Sequence, residues 1–266
     1  MGDGLMTGFA ITMPELSLRF VAVWRRNFLV WRKLAIPSLL GNLADPMIYM
    51  FGLGYGLGSL MPQIDGAPYI SFLAGGTLCA STMNAASFEA LYSGFSRMHV
   101  QRTWDAIVNA PVSLDDVIAG ELVWAATKAL LSGTAILIVV ALLGLTHSLL
   151  ALGILPVIFL AGLTFGALGL IVTALAPSYD FFMYYFTLFI TPMTLLSGVF
   201  FPLTQLPPAL QSAAQFLPLS HATELVRPLL AGKIPPELVL HVAVLAGIAG
   251  IAFLVALKLA RRRLLS

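Results

Sequence analysis

The feature that most constrains this chain is a series of six apolar segments, each about as long as a bilayer is thick. A transmembrane helix needs about 20 consecutive, mostly apolar residues. Segments of this kind occupy residues 36–57, 69–92, 122–145, 149–175, 181–200 and 238–259. Hydrophobic residues make up 59% of the 266 residues, which is more apolar surface than one soluble core of this size can bury. The sequence therefore predicts an all-α membrane protein with six transmembrane helices in a single domain, residues 1–266.

The basic residues indicate the direction of these helices. Eleven of the fourteen lysines and arginines precede the first segment, lie between the second and third, or lie at or beyond the end of the sixth. The connections on the other side contain only Arg227 and Lys233. Because basic loops stay in the cytoplasm, both termini are predicted to be cytoplasmic, as an even number of crossings also requires. No signal-peptide pattern opens the sequence, so we expect the N-terminus to be retained.

Residues 12–33 predict an amphipathic helix that lies on the membrane. Thr12 and Glu15 have the spacing of a capping box. On a helical projection the large apolar side chains share one arc, namely Leu16, Phe20, Val23, Trp24, Phe28 and Trp31. The basic side chains share the other arc, so we expect the apolar face to contact lipid and the basic face to contact anionic headgroups. This helix is either a simple anchor or a mechanical link into the first transmembrane helix.

The stretch 102–121 is unusually polar for its position between two apolar segments. Thr103 is predicted to cap a two-turn helix, which ends before Pro111. In that helix Trp104, Ile107 and Val108 would share one face, with Asp105 and Asn109 on the other. A helix this short cannot cross a bilayer, so it is predicted to lie at the cytoplasmic surface. It either docks into a groove of a soluble partner or is an elbow that only lets the chain turn.

The next residues predict where the third transmembrane helix begins. Ser113 followed by Asp116 forms a second capping box, and the helix it starts would continue into the third segment.

Residues 201–237, between the fifth and sixth segments, contain seven of the sixteen prolines. The apolar pieces between these prolines are each too short to cross a bilayer. They predict either two short re-entrant helices that dip back beside a pathway or two helices on the outer surface.

The sequence contains no recognisable catalytic motif. It has no P-loop, no HExxH, no GxSxG and only one cysteine, Cys79. His221 and Glu224 are three residues apart, but they lack the further ligands that a metal ion needs. We therefore expect no catalytic, cofactor-binding or metal-binding residues in this chain.

Polar residues within the apolar segments are candidate functional groups, because an ionisable side chain in lipid is costly. Asp45 precedes Pro46 in the first segment, and Asn42 and Tyr49 lie on the same helical face. Glu89 is near the cytoplasmic end of the second segment. These groups could line a transport path, hold helices together, or serve as the proton sites of an ion-coupled carrier that uses Asp45 and Glu89. An intramembrane enzyme acting on lipid-linked sugar is a third possibility, although no hydrolytic motif supports it.

Several stretches together resemble a known family. They are "WRRNFLVWRK", "LLGNLADPMIYMFGLGYGLG", "RTWDAIVNAPVSLDDVIAGELVWAATKALLSGTA", "VTALAPSYDFF", "ITPMTLLSGVFFPLTQLP" and "FLPLSHATELVRPLL". From residue 24 to the C-terminus the chain resembles the permease subunit of type-2 ABC exporters and, within them, the nodulation protein J (NodJ) family.

The resemblance implies a partner and a cargo. It implies a homodimer in the bacterial inner membrane that binds a separate NodI-like subunit, on which ATP and Mg²⁺ would bind and ATP would be hydrolysed. It implies export of a lipid-bearing oligosaccharide, such as a lipo-chitin oligosaccharide, with membrane lipids around the chain and no nucleic acid.

The resemblance also implies roles for individual residues. Residues 103–110 would be the coupling helix, 176–182 a second cytoplasmic contact, 12–33 the connecting helix and 201–231 the re-entrant pair. The expected ATPase-coupling residues are Thr103, Trp104, Asp105, Ile107, Val108, Asn109, Tyr179 and Asp180. A path for an amphiphile needs polar groups for sugar and aromatic faces for stacking. The expected path residues are Asn42, Asp45, Tyr49, Tyr184 and Tyr185.

Overall fold

A computed structural model describes residues 14–60, 63–64 and 66–264, and most of these residues are helical. The α-helices are α1 (Phe20–Trp31), α2 (Ala35–Gly56), α3 (Tyr69–Phe88), α4 (Thr103–Val108), α5 (Leu114–Leu142), α6 (Ile154–Leu175), α7 (Phe181–Tyr185), α8 (Thr191–Leu196), α9 (Pro208–Ala214), α10 (Pro218–Leu230) and α11 (Leu238–Leu264). Shorter 3-10 turns occur at Arg32–Leu34, Leu57–Ser59, Leu149–Gly153 and Leu203–Gln205, and π turns at Glu89–Ser93, Ser96–Val100 and Phe186–Ile190. Two strands, β1 (Gln63–Ile64) and β2 (Ala67–Pro68), pair antiparallel with Gln63 opposite Pro68.

Helices occupy all six segments that the sequence predicted, although their ends differ. Within the described residues, four helical stretches are long and apolar enough to cross a membrane, namely Phe20–Ser59, Leu114–Leu142, Leu149–Leu175 and Leu238–Leu264. Phe181–Leu196 is a shorter apolar helix of about 24 Å. Helix α3 contains many small and polar residues and is not one of the four. The predominantly helical class is confirmed, and the count of six crossings remains a prediction.

Helices α3, α5 and α6 form the centre of the bundle, and small residues set how closely they approach. A Cβ atom at Gly162 of α6 would lie 2.8 Å from the Cα atom of Ala126 in α5. A Cβ atom at Gly169 would lie 2.8 Å from the Cβ atom of Ala90, just beyond α3. In lipid, where apolar burial alone does not drive helix association, such close packing supplies much of the attraction.

The chain after α8 turns back onto α3. Helix α8 ends at Leu196, short of the predicted residue 200, because Gly198 adopts a φ of +72° that most side chains disfavour. This turn places Val199 against Gly76 of α3. The Arg227 guanidinium of α10 lies 3.6 Å from the ring centre of Phe72 and donates a hydrogen bond to the Val199 carbonyl at 3.3 Å. Helix α10 is therefore packed onto the bundle at this end.

Helix α1 is shorter than the predicted helix over residues 12–33. It begins at Phe20, and residues 14–19 are not helical. Thr12, the predicted cap, lies outside the described residues. The backbone N–H of Glu15 instead donates to the Asp115 carboxylate at 2.8 Å, which joins this segment to the start of α5.

Part of the apolar face of α1 packs on α5, and the rest is partly exposed, so the predicted contact of this face with lipid stays a prediction. Val23 and Asn27 are buried, and the Trp24 indole N–H donates to the Thr127 hydroxyl of α5 at 3.0 Å. A Cβ atom at Gly120 of α5 would lie only 2.6 Å from the Cβ atom of Val23. Helix α5 therefore covers part of the apolar arc, while Leu16 is exposed and Trp24 and Phe28 are only partly buried.

We expect Gly76→Ala to destabilise the fold. The added Cβ atom would lie 2.3 Å from the Val199 carbonyl oxygen, so α3 and the turn after α8 must separate. Overpacking of this kind costs about 1–3 kcal/mol in the free energy of unfolding. The thermal unfolding midpoint of the purified protein in detergent should fall.

Gly247→Ala is the matched control, because nothing lies within 4 Å of a Cβ atom at this position in α11. Alanine is favoured over glycine in a helix by about 1 kcal/mol, so its midpoint should stay unchanged or rise. Equal midpoints for the two variants would contradict the close contact of Gly76 with Val199.

Candidate functional site

Helix α4 is the short helix predicted after the second apolar segment, with a different cap. Its cap residue is Arg102, which has a left-handed φ of 49°, and no side chain caps the helix. The prediction that Thr103 caps α4 was therefore wrong, because Thr103 is already the first helical residue. The second predicted cap is confirmed, since the Ser113 hydroxyl accepts a hydrogen bond from the Asp116 N–H at 3.1 Å.

The two faces of α4 differ in exposure. Trp104 is only 2% exposed, and Ile107 is partly buried against the core. Val108 was predicted to share their face, but it is 37% exposed and lies with the exposed Asp105 and Asn109. The outward surface of α4 therefore consists of Asp105, Val108 and Asn109, and Trp104 fixes the helix to the bundle.

A buried charge cluster, formed by Glu89, Arg97, Glu121 and Lys128, lies directly beneath α4. The Trp104 indole N–H donates to a Glu121 carboxylate oxygen at 3.1 Å. The Arg97 Nε atom lies 2.9 and 3.0 Å from the two oxygens of the same carboxylate. Glu121 therefore connects α4 to both α5 and the segment that follows α3.

The second carboxylate of the charge cluster extends the network into α5. Arg97 also donates to Glu89 at 2.9 Å, and the Lys128 ammonium lies 2.7 Å from the other Glu89 oxygen. The Trp124 indole N–H donates to Glu89 at 2.8 Å. Glu89 and Glu121 are 3% and 2% exposed, so loss of one partner would leave a buried uncompensated charge, which costs about 3–5 kcal/mol.

The backbone is irregular where the charge cluster forms. Two π turns, Glu89–Ser93 and Ser96–Val100, follow α3, and such turns occur often at functional sites. In the sequence, Glu89 stands out only as an isolated acid, and nothing near it along the chain groups it with the other three. A signal was available, because Glu121, Trp124 and Lys128 are spaced by three and four residues and so share one face of α5.

Tyr179 and Asp180 lie between α6 and α7, close to the segment that carries Arg97. The Tyr179 ring stacks at 6.1 Å from the ring of Tyr92 and meets Phe95 edge-on at 5.0 Å. Both Tyr179 and Asp180 are exposed. The structure therefore places these two predicted coupling residues at the same end of the bundle as α4.

A polar cavity of about 600 Å³ lies between α2, α3 and the segment 186–200. Three predicted path residues, Asn42, Asp45 and Tyr49, line it. Further polar and aromatic lining residues are Thr77, Ser81, Asn84, Thr191, Thr194, Phe88, Phe186 and Phe200. These residues were not predicted from the sequence, although Thr77, Ser81 and Asn84 are spaced by four and three residues on one face of α3.

The other two predicted path residues do not line the polar cavity. Tyr184 is 63% exposed on the surface of the bundle. Tyr185 is buried, but it is not among the residues that line the cavity. Glu89 does not line the polar cavity with Asp45, because its carboxylate is paired within the charge cluster.

The histidine that was considered as a metal ligand pairs with another histidine. The Nδ1 atoms of His221 and His241 are 2.8 Å apart, and His221 Nε2 lies 2.9 Å from the Gln215 carbonyl oxygen. Burial lowers the pKa of His221 below its usual value. In the described part of the chain, no group of three or more His, Cys, Asp or Glu residues is placed to bind a metal ion.

Comparison with known proteins identifies the family. Residues 19–230 match the ABC-2 type transporter family. Nodulation protein J of Rhizobium leguminosarum bv. viciae is 52% identical over 254 residues, which cover 96% of this chain and 98% of that protein. Nodulation protein J of Rhizobium meliloti (strain 1021) is 48% identical over 97% of this chain and 98% of its own length.

A more distant relative lies outside the nodulation proteins. Inner membrane transport permease YadH of Escherichia coli (strain K12) is 24% identical over 204 residues, or 74% of this chain and 77% of that protein. The family match covers most of the chain, and the two nodulation proteins are about 50% identical to it along nearly its whole length. The protein therefore belongs to the ABC-2 type transporters and, within them, to the nodulation protein J family.

Proposed function

We propose that the chain is the permease subunit of an ATP-driven exporter that moves a lipid-bearing oligosaccharide, of the lipo-chitin type, across the bacterial inner membrane. The chain would cross the membrane six times as one domain, with both termini and α4 in the cytoplasm and residues 201–237 on the other side. Family membership supports the transport role. The observation that carries the mechanism is the exposed helix α4, which the buried charge cluster fixes to the bundle.

The energy for transport would come from a second protein. The sequence has no P-loop, so ATP and Mg²⁺ would bind to a separate NodI-like subunit. Asp105, Val108 and Asn109 form an exposed surface on a rigid helix, which suits docking into a groove of that subunit. Tyr179 and Asp180 would provide a second contact, and two copies of the chain would assemble with two ATPase subunits.

The charge cluster gives α4 a direct connection to the bundle. A displacement of α4 would move Glu121 through the Trp104 hydrogen bond, and Glu121 holds Arg97. Arg97 and Lys128 in turn hold Glu89 at the end of α3. A buried ion pair is strongly destabilised when one partner is withdrawn. We therefore expect α4, α5 and the end of α3 to move together.

The polar cavity is the proposed path for the cargo. Asn42, Asp45 and Asn84 offer hydrogen-bond donors and acceptors for sugar hydroxyls, and Phe186 and Phe200 offer faces for stacking or for a lipid chain. Tyr184 and Tyr185 lie outside this cavity, so any role for them in the path requires a surface that the single chain does not form.

An ion-coupled carrier is less well supported. That function would use Asp45 and Glu89 as proton sites. Three donors, from Arg97, Lys128 and Trp124, occupy the Glu89 carboxylate, which leaves it poorly placed to accept a transported proton.

We expect the double variant Asp105→Ala, Asn109→Ala to lose binding to the ATPase subunit. Both side chains are exposed on α4, so the substitutions should remove docking contacts without disturbing the fold. Copurification of the NodI-like subunit with the variant should fall about tenfold or more, which corresponds to about 1.4 kcal/mol. The unfolding midpoint should stay unchanged.

Gln205→Ala is the control for this experiment. Gln205 is also exposed, but it lies near the opposite end of α3, where the Tyr69 hydroxyl donates to the Phe200 carbonyl at 2.8 Å. This variant should bind the ATPase subunit normally. Undiminished binding in the α4 double variant would refute the docking role of α4.

We expect Trp104→Phe to uncouple ATP hydrolysis from transport while the ATPase subunit stays bound. Phenylalanine keeps most of the packing but removes the N–H that donates to Glu121. A hydrogen bond to a charged group contributes about 1.5–3 kcal/mol. The amount of cargo moved per ATP hydrolysed, measured in reconstituted vesicles, should fall.

Trp24→Phe is the matched control, because its indole N–H donates to the neutral Thr127 hydroxyl, outside the charge cluster. It should retain the normal ratio of transport to hydrolysis. An unchanged ratio in Trp104→Phe would show that the link from α4 to Glu121 does not transmit movement.

We expect Asp45→Asn to reduce transport of a fluorescently labelled lipo-chitin oligosaccharide by about tenfold, because a charged acceptor for sugar hydroxyls in the cavity is lost. Binding of the ATPase subunit should be unaffected. Tyr184→Phe alters a hydroxyl outside the cavity and should transport normally. If Tyr184→Phe reduces transport and Asp45→Asn does not, the path lies elsewhere.

A further inference from the structure

A second cavity, here called the interfacial cavity, lies between α1, the start of α2, the segment after α3, and α5. Its volume is about 490 Å³, within the range of roughly 300–1,000 Å³ that is usual for small-molecule sites. Residues that determine its chemistry include Arg26, Asn27, Val30, Trp31, Leu34 and Lys128. The proposed function uses the charge cluster on one wall of this cavity but assigns no ligand to the space itself.

Two polar side chains of α1 are not fully paired: the Arg26 guanidinium has no carboxylate partner and the Asn27 amide has no acceptor among the described residues. The Arg26 guanidinium donates to the Asn27 side-chain oxygen at 2.9 Å and approaches the Thr103 hydroxyl at 3.5 Å. Among the described residues no carboxylate forms an ion pair with Arg26. Asn27 is 3% exposed, and its amide nitrogen has no acceptor in the same part of the chain. Because a buried donor without an acceptor is unfavourable, a ligand with acceptor oxygens would stabilise this wall.

The charge around the interfacial cavity favours an anion. Arg26, Arg97 and Lys128 line it, against the single carboxylate of Glu89. Glu121 balances part of the Arg97 charge but does not line the cavity. The excess positive charge is therefore on the side of Arg26. Arginine presents several N–H groups in a planar arrangement that matches the oxygens of a phosphate group.

The rim of the cavity points to a lipid. Val30 and Leu34 line the cavity and are 58% and 64% exposed, so apolar side chains lead from the charged interior to the outer surface of the bundle. Trp31 and Trp124 line the same space, and tryptophan is enriched at the boundary between headgroups and acyl chains. A small soluble anion would gain nothing from this apolar rim.

We propose that the interfacial cavity binds the phosphate group of an anionic phospholipid, with the phosphate on Arg26 and Asn27 and the acyl chains along Val30 and Leu34. The bound headgroup would fill the space between α1 and the charge cluster. Because Arg26 also approaches Thr103 at the start of α4, the lipid would help to hold α4 in place. This site is distinct from the polar cavity, whose lining includes Asp45 but no lysine or arginine.

The test compares two adjacent arginines in the full chain. Wild-type protein, Arg26→Gln and Arg25→Gln are purified from phosphatidylcholine with added phosphatidylglycerol, and retained lipid is counted by native mass spectrometry. Arg25 is exposed, so its substitution removes the same charge from α1 without altering the cavity. We expect Arg26→Gln to retain phosphatidylglycerol about tenfold less well, whereas Arg25→Gln should match the wild type.

An equal loss in the two arginine variants would overturn the proposal, because it would indicate diffuse attraction between the basic helix and an anionic surface. The source of the phosphate is tested by competition. If inorganic phosphate or glycerol 3-phosphate displaces phosphatidylglycerol at comparable concentrations, the cavity is a site for soluble anions and the lipid proposal fails.

A second variant keeps the test decisive if Arg26→Gln folds poorly in phosphatidylcholine. Asn27→Leu removes the unpartnered amide but keeps the branched heavy-atom shape of the side chain where α1 packs on α5. It should lower retention of phosphatidylglycerol and leave the unfolding midpoint in phosphatidylcholine unchanged or raised. Full retention of phosphatidylglycerol by Asn27→Leu would exclude the amide as a phosphate ligand and overturn the site as described.

Discussion

The arrangement of this end of the molecule depends on one carboxylate, that of Glu121. It accepts hydrogen bonds from Trp104 on α4 and from Arg97 after α3, while its own backbone belongs to α5. Removing an ion from water is costly, so this carboxylate is stable in the interior only when both donors are in position. The helices that supply those donors are therefore positioned by the charge as well as by packing. A six-residue helix, which would not be stable alone, becomes a fixed feature of the surface.

Helix α3 both packs closely against its neighbours and lines the polar cavity. Its Gly75 and Gly76 allow close contact with α10 and Val199, and its Thr77, Ser81 and Asn84 line the polar cavity. Both requirements make α3 less apolar than the helices around it. A helix of this composition is costly in contact with lipid, and most of its residues are buried by protein instead. The polar wall of the cavity is therefore supplied by a helix that its neighbours largely cover.

The sequence predicted those features that depend on local pattern. Apolar runs located the helices, and the spacing of Ser113 and Asp116 located the start of α5, because these signals arise within one or two turns. It did not predict which surface covers the apolar arc of α1, since periodicity shows that a face is apolar but not what packs on it. It also missed the charge cluster, whose members Glu89 and Lys128 are 39 residues apart in the sequence. Tyr184 and Tyr185 were chosen as path residues on chemistry alone, and they lie outside the cavity that Asn42, Asp45 and Tyr49 line.

The polar cavity and the interfacial cavity carry opposite charge, and this difference has a consequence for selectivity. The polar cavity offers the Asp45 carboxylate together with amides and hydroxyls, which suits neutral sugar and repels phosphate. The interfacial cavity offers Arg26 and an amide donor, which suits phosphate. A phospholipid held in the interfacial cavity would therefore be disfavoured in the polar cavity, even though its acyl chains resemble those of a lipid-bearing cargo. Headgroup charge could then separate the lipid that stabilises the transporter from the cargo that passes through it.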